Sequence, residues 1–228
     1  MYIGLIPARA GSKGIKNKNI LNLAGKPLIS WSFESALDVP SLNRIVCTSD
    51  CTKVQSLATQ YGIEVIDRPA FLAQDNTHII DVIKHALSTI LFANATHIVL
   101  LQPTSPFRKS VTVENCIKIS RSTSSDTVIT AYENKHMHPS LIFSDFEDTM
   151  SPNWLLSGEL MKRRQEYSRY LIRCGVCYVT KVDTIIEAST IYGKLTKYCE
   201  VSAMEALNID HPEDLALANF YIKNAQIN

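Results

Sequence analysis

The chain has 228 residues, 46% hydrophobic and 20% charged, and its 23 Lys and Arg against 22 Asp and Glu leave a net charge of +1. That balance excludes a disordered or fibrous chain and offers no general basic field for duplex nucleic acid. No apolar run reaches the ~20 residues a membrane-spanning helix needs, and no basic stretch precedes the apolar MYIGLIP start. The expectation is a cytoplasmic protein with neither membrane nor nucleic acid among its partners, its six cysteines reduced.

In chain order, Met1–Pro7 is almost wholly apolar, as a strand buried on both faces of a parallel sheet must be. A basic, glycine-containing loop follows from Ala8 to about Asn22. Pro27–Leu37 reads as a helix with proline in its first turn. Arg44–Thr48 is a second strand, and Thr52–Tyr61 a helix closed by Gly62. Ile63–Ile66 is a short strand and Ile79–Ala93 a helix. His97–Gln102 is a central strand, stopped by Pro103 and Pro106 because proline cannot continue a ladder. Val111–Ser120 suits a helix and Thr127–Tyr132 a strand. This alternation predicts βαβ units on a mostly parallel sheet.

From Glu133 to Arg173 the alternation breaks. The stretch reads as an excursion from one domain spanning 1–228, with His136 and His138 at a surface or interface. Gly175–Thr180 and Thr196–Val201 return as strands, and Pro212–Asn224 is the last helix. Cys174-Gly-Val-Cys177 is a lone pair without zinc-ligand companions. On a regular strand its two side chains face opposite ways.

Charge is distributed unevenly. The first acid is Glu34, preceded by Arg9, Lys13, Lys16, Lys18 and Lys26, and a second cluster holds Lys162, Arg163, Arg164, Arg169 and Arg173. Local patches on a near-neutral chain point to a small anionic ligand. The strongest feature is Arg9-Ala-Gly-Ser-Lys-Gly-Ile-Lys-Asn-Lys-Asn19. It follows a buried strand, at the end where open α/β sheets bind ligands. Gly11 and Gly14 let backbone N–H groups approach a phosphate, and Arg9, Lys13 and Lys18 neutralise it. The loop is neither a Walker A motif nor GxGxxG. Plainer roles stand beside the chemical ones: Gln102 as a turn residue, Asp210 as a cap of the last helix, Arg164 as a solvated charge, Asp50 as a cap of the helix after Thr52.

Taken in order, these motifs resemble the CMP-sialic acid synthetase family (acylneuraminate cytidylyltransferases). The pattern R-x-G-S-K-G-I-x-x-K-N is met from Arg9 to Asn19, followed by Gly25-Lys-Pro-Leu28 and Thr48-Ser-Asp50. Arg68-Pro69, Leu72-Ala-Gln-Asp75 and Leu100-Leu-Gln-Pro-Thr-Ser-Pro-Phe-Arg108 come next. Arg164-Gln165 precedes a G-x-x-Y strand, Gly175 to Tyr178, and Ile209-Asp210 precedes Glu213-Asp214.

The resemblance implies a three-layer α/β/α nucleotide-binding, Rossmann-like fold. It implies transfer of CMP from CTP to the anomeric hydroxyl of a nonulosonic acid, a nine-carbon α-keto sugar acid, with release of pyrophosphate. Lys18, Gln102, Arg164 and Arg9 would carry catalysis. Ala8, Arg9, Gly11, Ser12, Lys13 and Asn19 would hold the nucleotide, with Arg68, Thr77 and His78 near the cytidine. Asp210, with Asn208, would bind Mg2+. Members of the family are homodimers, so residues of about 133–173 would form a dimer arm that carries Arg164 to the partner's site and to the sugar's carboxylate.

Three positions depart from the pattern: Asn208 where a second aspartate is common, Cys174 where asparagine often precedes G-x-x-Y, and Leu141 where a lysine follows His-Pro. All lie on the sugar and metal side. Two other outcomes therefore stay open, a cytidylyltransferase for another keto-sugar acid and a decayed nucleotide-binding homologue.

Overall fold

A computed structural model describes residues 1–12, 14–134, 137–145, 152–156 and 163–224. The strands, in chain order, are β1 (Tyr2–Pro7), the short pair β2 (Asn22–Leu23) and β3 (Lys26–Pro27), β4 (Arg44–Ser49), β5 (Glu64–Asp67), β6 (His97–Leu100), β7 (Thr127–Glu133), β8 (Phe143–Asp145), β9 (Pro152–Trp154), β10 (Leu171–Lys181) and β11 (Thr196–Glu200). The helices are α1 (Leu28–Leu37), α2 (Thr52–Gln60), α3 (Ile79–Leu87), α4 (Ser110–Thr123), α5 (Val182–Ala188) and α6 (Pro212–Asn224).

Seven strands form one sheet in the order β11-β7-β10-β6-β1-β4-β5. All pairings are parallel except those of β10, which runs against both β6 and β7. The mostly parallel sheet expected from the alternation is therefore present. The exception has a topological cause. The excursion between β7 and β10 leaves and re-enters at the same end of the sheet, and a strand returning from that end must be antiparallel.

Alternation along β1 sorts its side chains into two cores. Tyr2 and Ile6 join one core with Phe33 of α1, Ala58 of α2 and Ile117 of α4. Ile3 and Leu5 join the other with Ile83 of α3 and Ile185 of α5. The result is a sheet with helices on both faces. Ile3, Leu5 and Ile6 are completely buried, each contributing about 1.5–3 kcal/mol, so the strand that launches the basic loop is rigidly held. A third core of Leu23, Leu28, Phe107, Ile209 and Ala218 fastens α6 to the β2–β3 pair and fixes the segment before α6.

Three expectations are corrected. The helix from Ile79 stops at Leu87, and a 3-10 turn covers Ile90–Phe92. Ser88 and Thr89 there turn their hydroxyls back onto the carbonyls of His85 and Ala86, the competing hydrogen bonds that end helices. Cys174 and Cys177 do not face opposite ways but share one core, because β10 bulges between Cys174 and Tyr178. His138 is buried, its ring stacked 4.1 Å from that of Tyr167; His136 lies outside the described residues. The described part of the excursion includes a small hairpin, β8 against β9. No helix among the described residues is long and apolar enough to cross a membrane.

Candidate active site

The basic loop leaves β1 at the carboxyl end of the parallel strands. Asp50, at the end of β4, accepts a hydrogen bond from the Ala10 N–H at 2.8 Å. It therefore anchors the loop rather than capping α2, whose N-cap is Cys51 without a side-chain bond. Asn19 is buried and donates from its amide to the Arg9 carbonyl at 3.0 Å, closing the loop on itself. Gly14 has a steric reason to be glycine: a Cβ there would lie 2.2 Å from the Asp210 carbonyl oxygen. The loop thus rests directly on the segment before α6.

An open cavity of about 580 Å³ lies between this loop, the end of β6 and that segment. Arg9, Ser12, Lys18 and Asn19 line it from the loop, and Gln102, Asn208 and Asp210 from the opposite side. Arg68 and Thr77 complete the wall. Ala8 lies beneath it, buried, its N–H donated to the Thr48 carbonyl at 3.0 Å. Gly11 and His78 are exposed and outside the lining. Lys13 and the side chain of Arg164 lie outside the described residues; the Arg164 backbone opens a 3-10 turn, Arg164–Glu166.

The charges are paired across the cavity. Lys18 Nζ is 2.7 Å from Asp210 Oδ1, and Arg9 Nη1 is 2.6 Å from Asp75 Oδ1. Arg68 is buried and donates to the Thr48 carbonyl at 2.6 Å. Burial holds its guanidinium below the ordinary arginine value, with Asp50 opposing. The cap of α6 falls to Asp214, whose Oδ2 accepts the N–H groups of Asp210 at 2.9 Å and His211 at 2.8 Å. The Asp210 carboxylate is thereby released from capping and turned to the cavity.

Asn208 donates from Nδ2 to Asp210 Oδ2, while its own Oδ1 is buried without a partner. An orphaned amide oxygen beside a carboxylate is a donor pair suited to a hard cation. Among the described residues no three His, Cys, Asp or Glu side chains gather as a metal cage. The pair fits an ion such as magnesium, which keeps water and ligand phosphate in most of its coordination shell.

A second cavity of about 530 Å³ adjoins the first, and Ile79, Gln102 and Asn208 line both. Its far wall is the β10 bulge with Arg173, Cys174, Gly175 and Tyr178, facing Tyr192. A Cβ on Gly175 would sit 2.2 Å from Gln102 Oε1, so glycine is what lets the Gln102 side chain lie across the junction. The bulge is braced from behind. Buried Arg108 donates to the Val176 carbonyl at 2.6 Å, to Ser32 Oγ at 2.9 Å, and to the Gln102 carbonyl. Burial pulls Arg108 down to about 10, with Cys177 and Glu205 opposing. Thr130 Oγ1 lies 3.2 and 3.1 Å from the carbonyls of Cys174 and Cys177 and accepts the Cys177 N–H. The carbonyls of Cys174, Val176 and Cys177 and the Cys177 N–H, all at the bulge, therefore find partners.

The second cavity is largely invisible to sequence reasoning. Arg173, Tyr178 and Tyr192 meet there only because of the bulge and the antiparallel return of β10. The available signals were the G-x-x-Y motif with Cys174 before it, and Arg173's place in the second basic cluster immediately before the CxxC.

The sequence profile of the cytidylyltransferase family matches residues 3–223. Over 216 residues the chain is 28% identical to an N-acylneuraminate cytidylyltransferase of Escherichia coli O18:K1:H7, covering 95% of this chain and 51% of that protein. It therefore spans about half the length of that relative. It is 31% identical to a CMP-N,N'-diacetyllegionaminic acid synthase of Legionella pneumophila, covering 94% of this chain and 93% of the other. A solved structure of CMP:2-keto-3-deoxy-manno-octonic acid synthetase complexed with CTP shares the fold, with a TM-score of 0.74 at 18% identity over 98% of this chain and 99% of that one.

Proposed function

Starting from a chain that belongs to the cytidylyltransferase family, we propose that it transfers CMP from CTP to the anomeric hydroxyl of a nonulosonic acid, releasing pyrophosphate. The observation that carries this reading is the junction at Gln102. A cavity walled by Lys18, Arg9, Asn208 and Asp210 opens there onto a second one of similar size. A nucleotide and an acceptor sugar need such adjoining places. The relatives named for N-acylneuraminate and for diacetyllegionaminic acid support this acceptor class.

The chemistry asks mainly for positioning and charge. The anomeric hydroxyl gives up its proton to solvent as its oxygen attacks the α-phosphorus in line; a new P–O bond forms, and the bond to the bridging oxygen breaks, so pyrophosphate leaves with that electron pair. Lys18 exchanges Asp210 for the reacting phosphates and offsets their growing charge. Arg9 and the N–H groups near Ser12 hold the rest of the triphosphate. Gln102 orients the α-phosphate against the sugar. Asp210 and the Asn208 oxygen would hold Mg2+, which when bound supplies further neutralisation of phosphate charge.

The excursion exposes Met137, Leu141, Phe143 and Leu155, which supports its role as an arm meeting a second copy of the chain; sedimentation of the intact protein as a monomer at assay concentrations would rule that out. The central test is pyrophosphate release from CTP and magnesium with N-acetylneuraminic, legionaminic, pseudaminic and 3-deoxy-octulosonic acids. Turnover requiring both acid and metal is expected. CTP binding without turnover across the whole panel would refute the transfer reading.

A further inference from the structure

Sequence reasoning gave the acceptor's carboxylate to Arg164. The second cavity offers another cation in a better-defined setting. Among the described residues lining it, Arg173 is the only cation and Asp214 the only carboxylate. Oδ2 of Asp214 is already taken by the N–H groups of Asp210 and His211. Arg173 has neither an ion pair nor a hydrogen bond from its side chain among the described residues. The cations elsewhere around the sheet differ: Arg9 pairs with Asp75, Lys18 with Asp210, Arg169 with Glu133 and Glu200, and Lys181 with Asp126.

Arg173 is nevertheless held in place. Its guanidinium carbon lies 5.0 Å over the ring of Tyr192, and Tyr192 packs edge-on against Tyr178 at 6.3 Å. Its backbone adjoins the bulge braced by Arg108 and Thr130. An aromatic face restricts the side chain while leaving all the guanidinium N–H donors available. A planar fork presented in this way matches a carboxylate.

We infer that Arg173 is the specificity residue for the acceptor's negative charge, binding the carboxylate of the sugar acid from within the same chain. The inference rests on the transfer reading above and names the residue by which the second cavity selects a sugar acid over a neutral sugar. The carboxylate of a keto-sugar acid is borne on the anomeric carbon, so a carboxylate fixed at Arg173 also fixes the attacking hydroxyl relative to Gln102. Arg173 is a binding and positioning group and takes no proton in the reaction.

The test compares wild type, Arg173→Gln and Arg173→Lys, with folding checked by thermal melting. Pyrophosphate release is measured against N-acetylneuraminic acid, its C1 carboxamide and CTP. A hydrogen-bonded charge pair lost at a partly open site corresponds to a rise in acceptor KM of about 10- to 100-fold for Arg173→Gln, with the KM for CTP changed less than about threefold. Arg173→Lys should fall between, because it keeps the charge and loses the fork. The carboxamide should be handled alike by wild type and Arg173→Gln. An unchanged KM for the acid, or an equal loss with acid and carboxamide, overturns the inference.

Failure of the transfer reading itself shows differently, as no pyrophosphate from wild type with any acid. Calorimetric titration of the acid into protein saturated with CTP then decides the role of Arg173 separately. Acid binding that disappears in Arg173→Gln sustains it, and no acid binding to wild type, or binding that persists in the variant, overturns it.

Discussion

Gly175→Ala places a methyl carbon 2.2 Å from Gln102 Oε1 and 3.1 Å from its Cδ, with Ser105 Oγ at 3.6 Å. Non-bonded heavy atoms are comfortable at about 3.5 Å, so the amide must retreat by about 1.3 Å. It is the free end of a flexible side chain, which keeps the cost to the fold near the bottom of the overpacking range, about 1 kcal/mol. For a chain of this size that lowers Tm by roughly 2–4 °C. Catalysis should suffer far more. A displacement of about 1 Å in a positioning group costs on the order of 10²-fold in turnover, about 2.7 kcal/mol of barrier. The assay is pyrophosphate release at saturating CTP and acceptor, beside a thermal melt. Repeating the substitution in a Gln102→Ala background isolates the route, because Gly175→Ala should add little once the side chain it displaces is gone. Wild-type turnover in Gly175→Ala, or an undiminished loss in the double variant, would refute the argument.

Lys18→Ala should lower kcat by about 10²-fold or more while CTP affinity changes less, since its charge is needed most as pyrophosphate leaves; an unchanged kcat would strike it from the reacting groups. Asn208→Asp sets a second carboxylate against Asp210, whose repulsion lowers Tm in EDTA. Magnesium should then raise the variant's Tm more than wild type's and activate it at lower concentration, and an identical magnesium response would place Asn208 outside the coordination shell. His97, stacked 4.3 Å from the ring of Tyr2, is pulled by burial from 6.5 to about 4, helped by the positive N-terminus. The unfolded chain therefore binds the proton more tightly, and stability present above pH 6.5 is lost as pH falls toward 4. His97→Gln should flatten that acid limb in urea unfolding at pH 7 and pH 5; equal slopes would discard the explanation.

What could be read from the sequence followed the local rules. β1 announced itself because both its faces are buried, and α6 runs over the predicted Pro212–Asn224. The basic loop stood out because its charges and glycines are contiguous. The cavity facing it was legible as a set of separate motifs, with Gln102 and Asp210 assigned by resemblance. What sequence could not give depends on long-range register. Nothing local in Leu171–Lys181 says that the strand runs antiparallel, or that it swells at Gly175. The pairing of Lys18 with Asp210 joins positions 192 residues apart. The release of Asp210 from capping depends on which of two neighbouring aspartates reaches the backbone N–H groups first. Asp50, read as a cap, anchors the basic loop instead, because Ala10 comes within its reach only after β1 and β4 have paired.

The bulge in β10 works as an adjustable joint. Cys174 sits opposite Thr130 and Tyr178 opposite Ile129, so Gly175, Val176 and Cys177 have no counterparts on β7. Side chains alternate along a strand, and a change of one residue in that surplus reverses the face shown by everything before it. Arg173 would then turn out of the second cavity, while Tyr178–Thr180 kept their partners on β6 and β7. Acceptor preference in this sheet is thus written partly in the number of residues between Arg173 and Tyr178, a spelling that comparisons of residue identity alone would pass over.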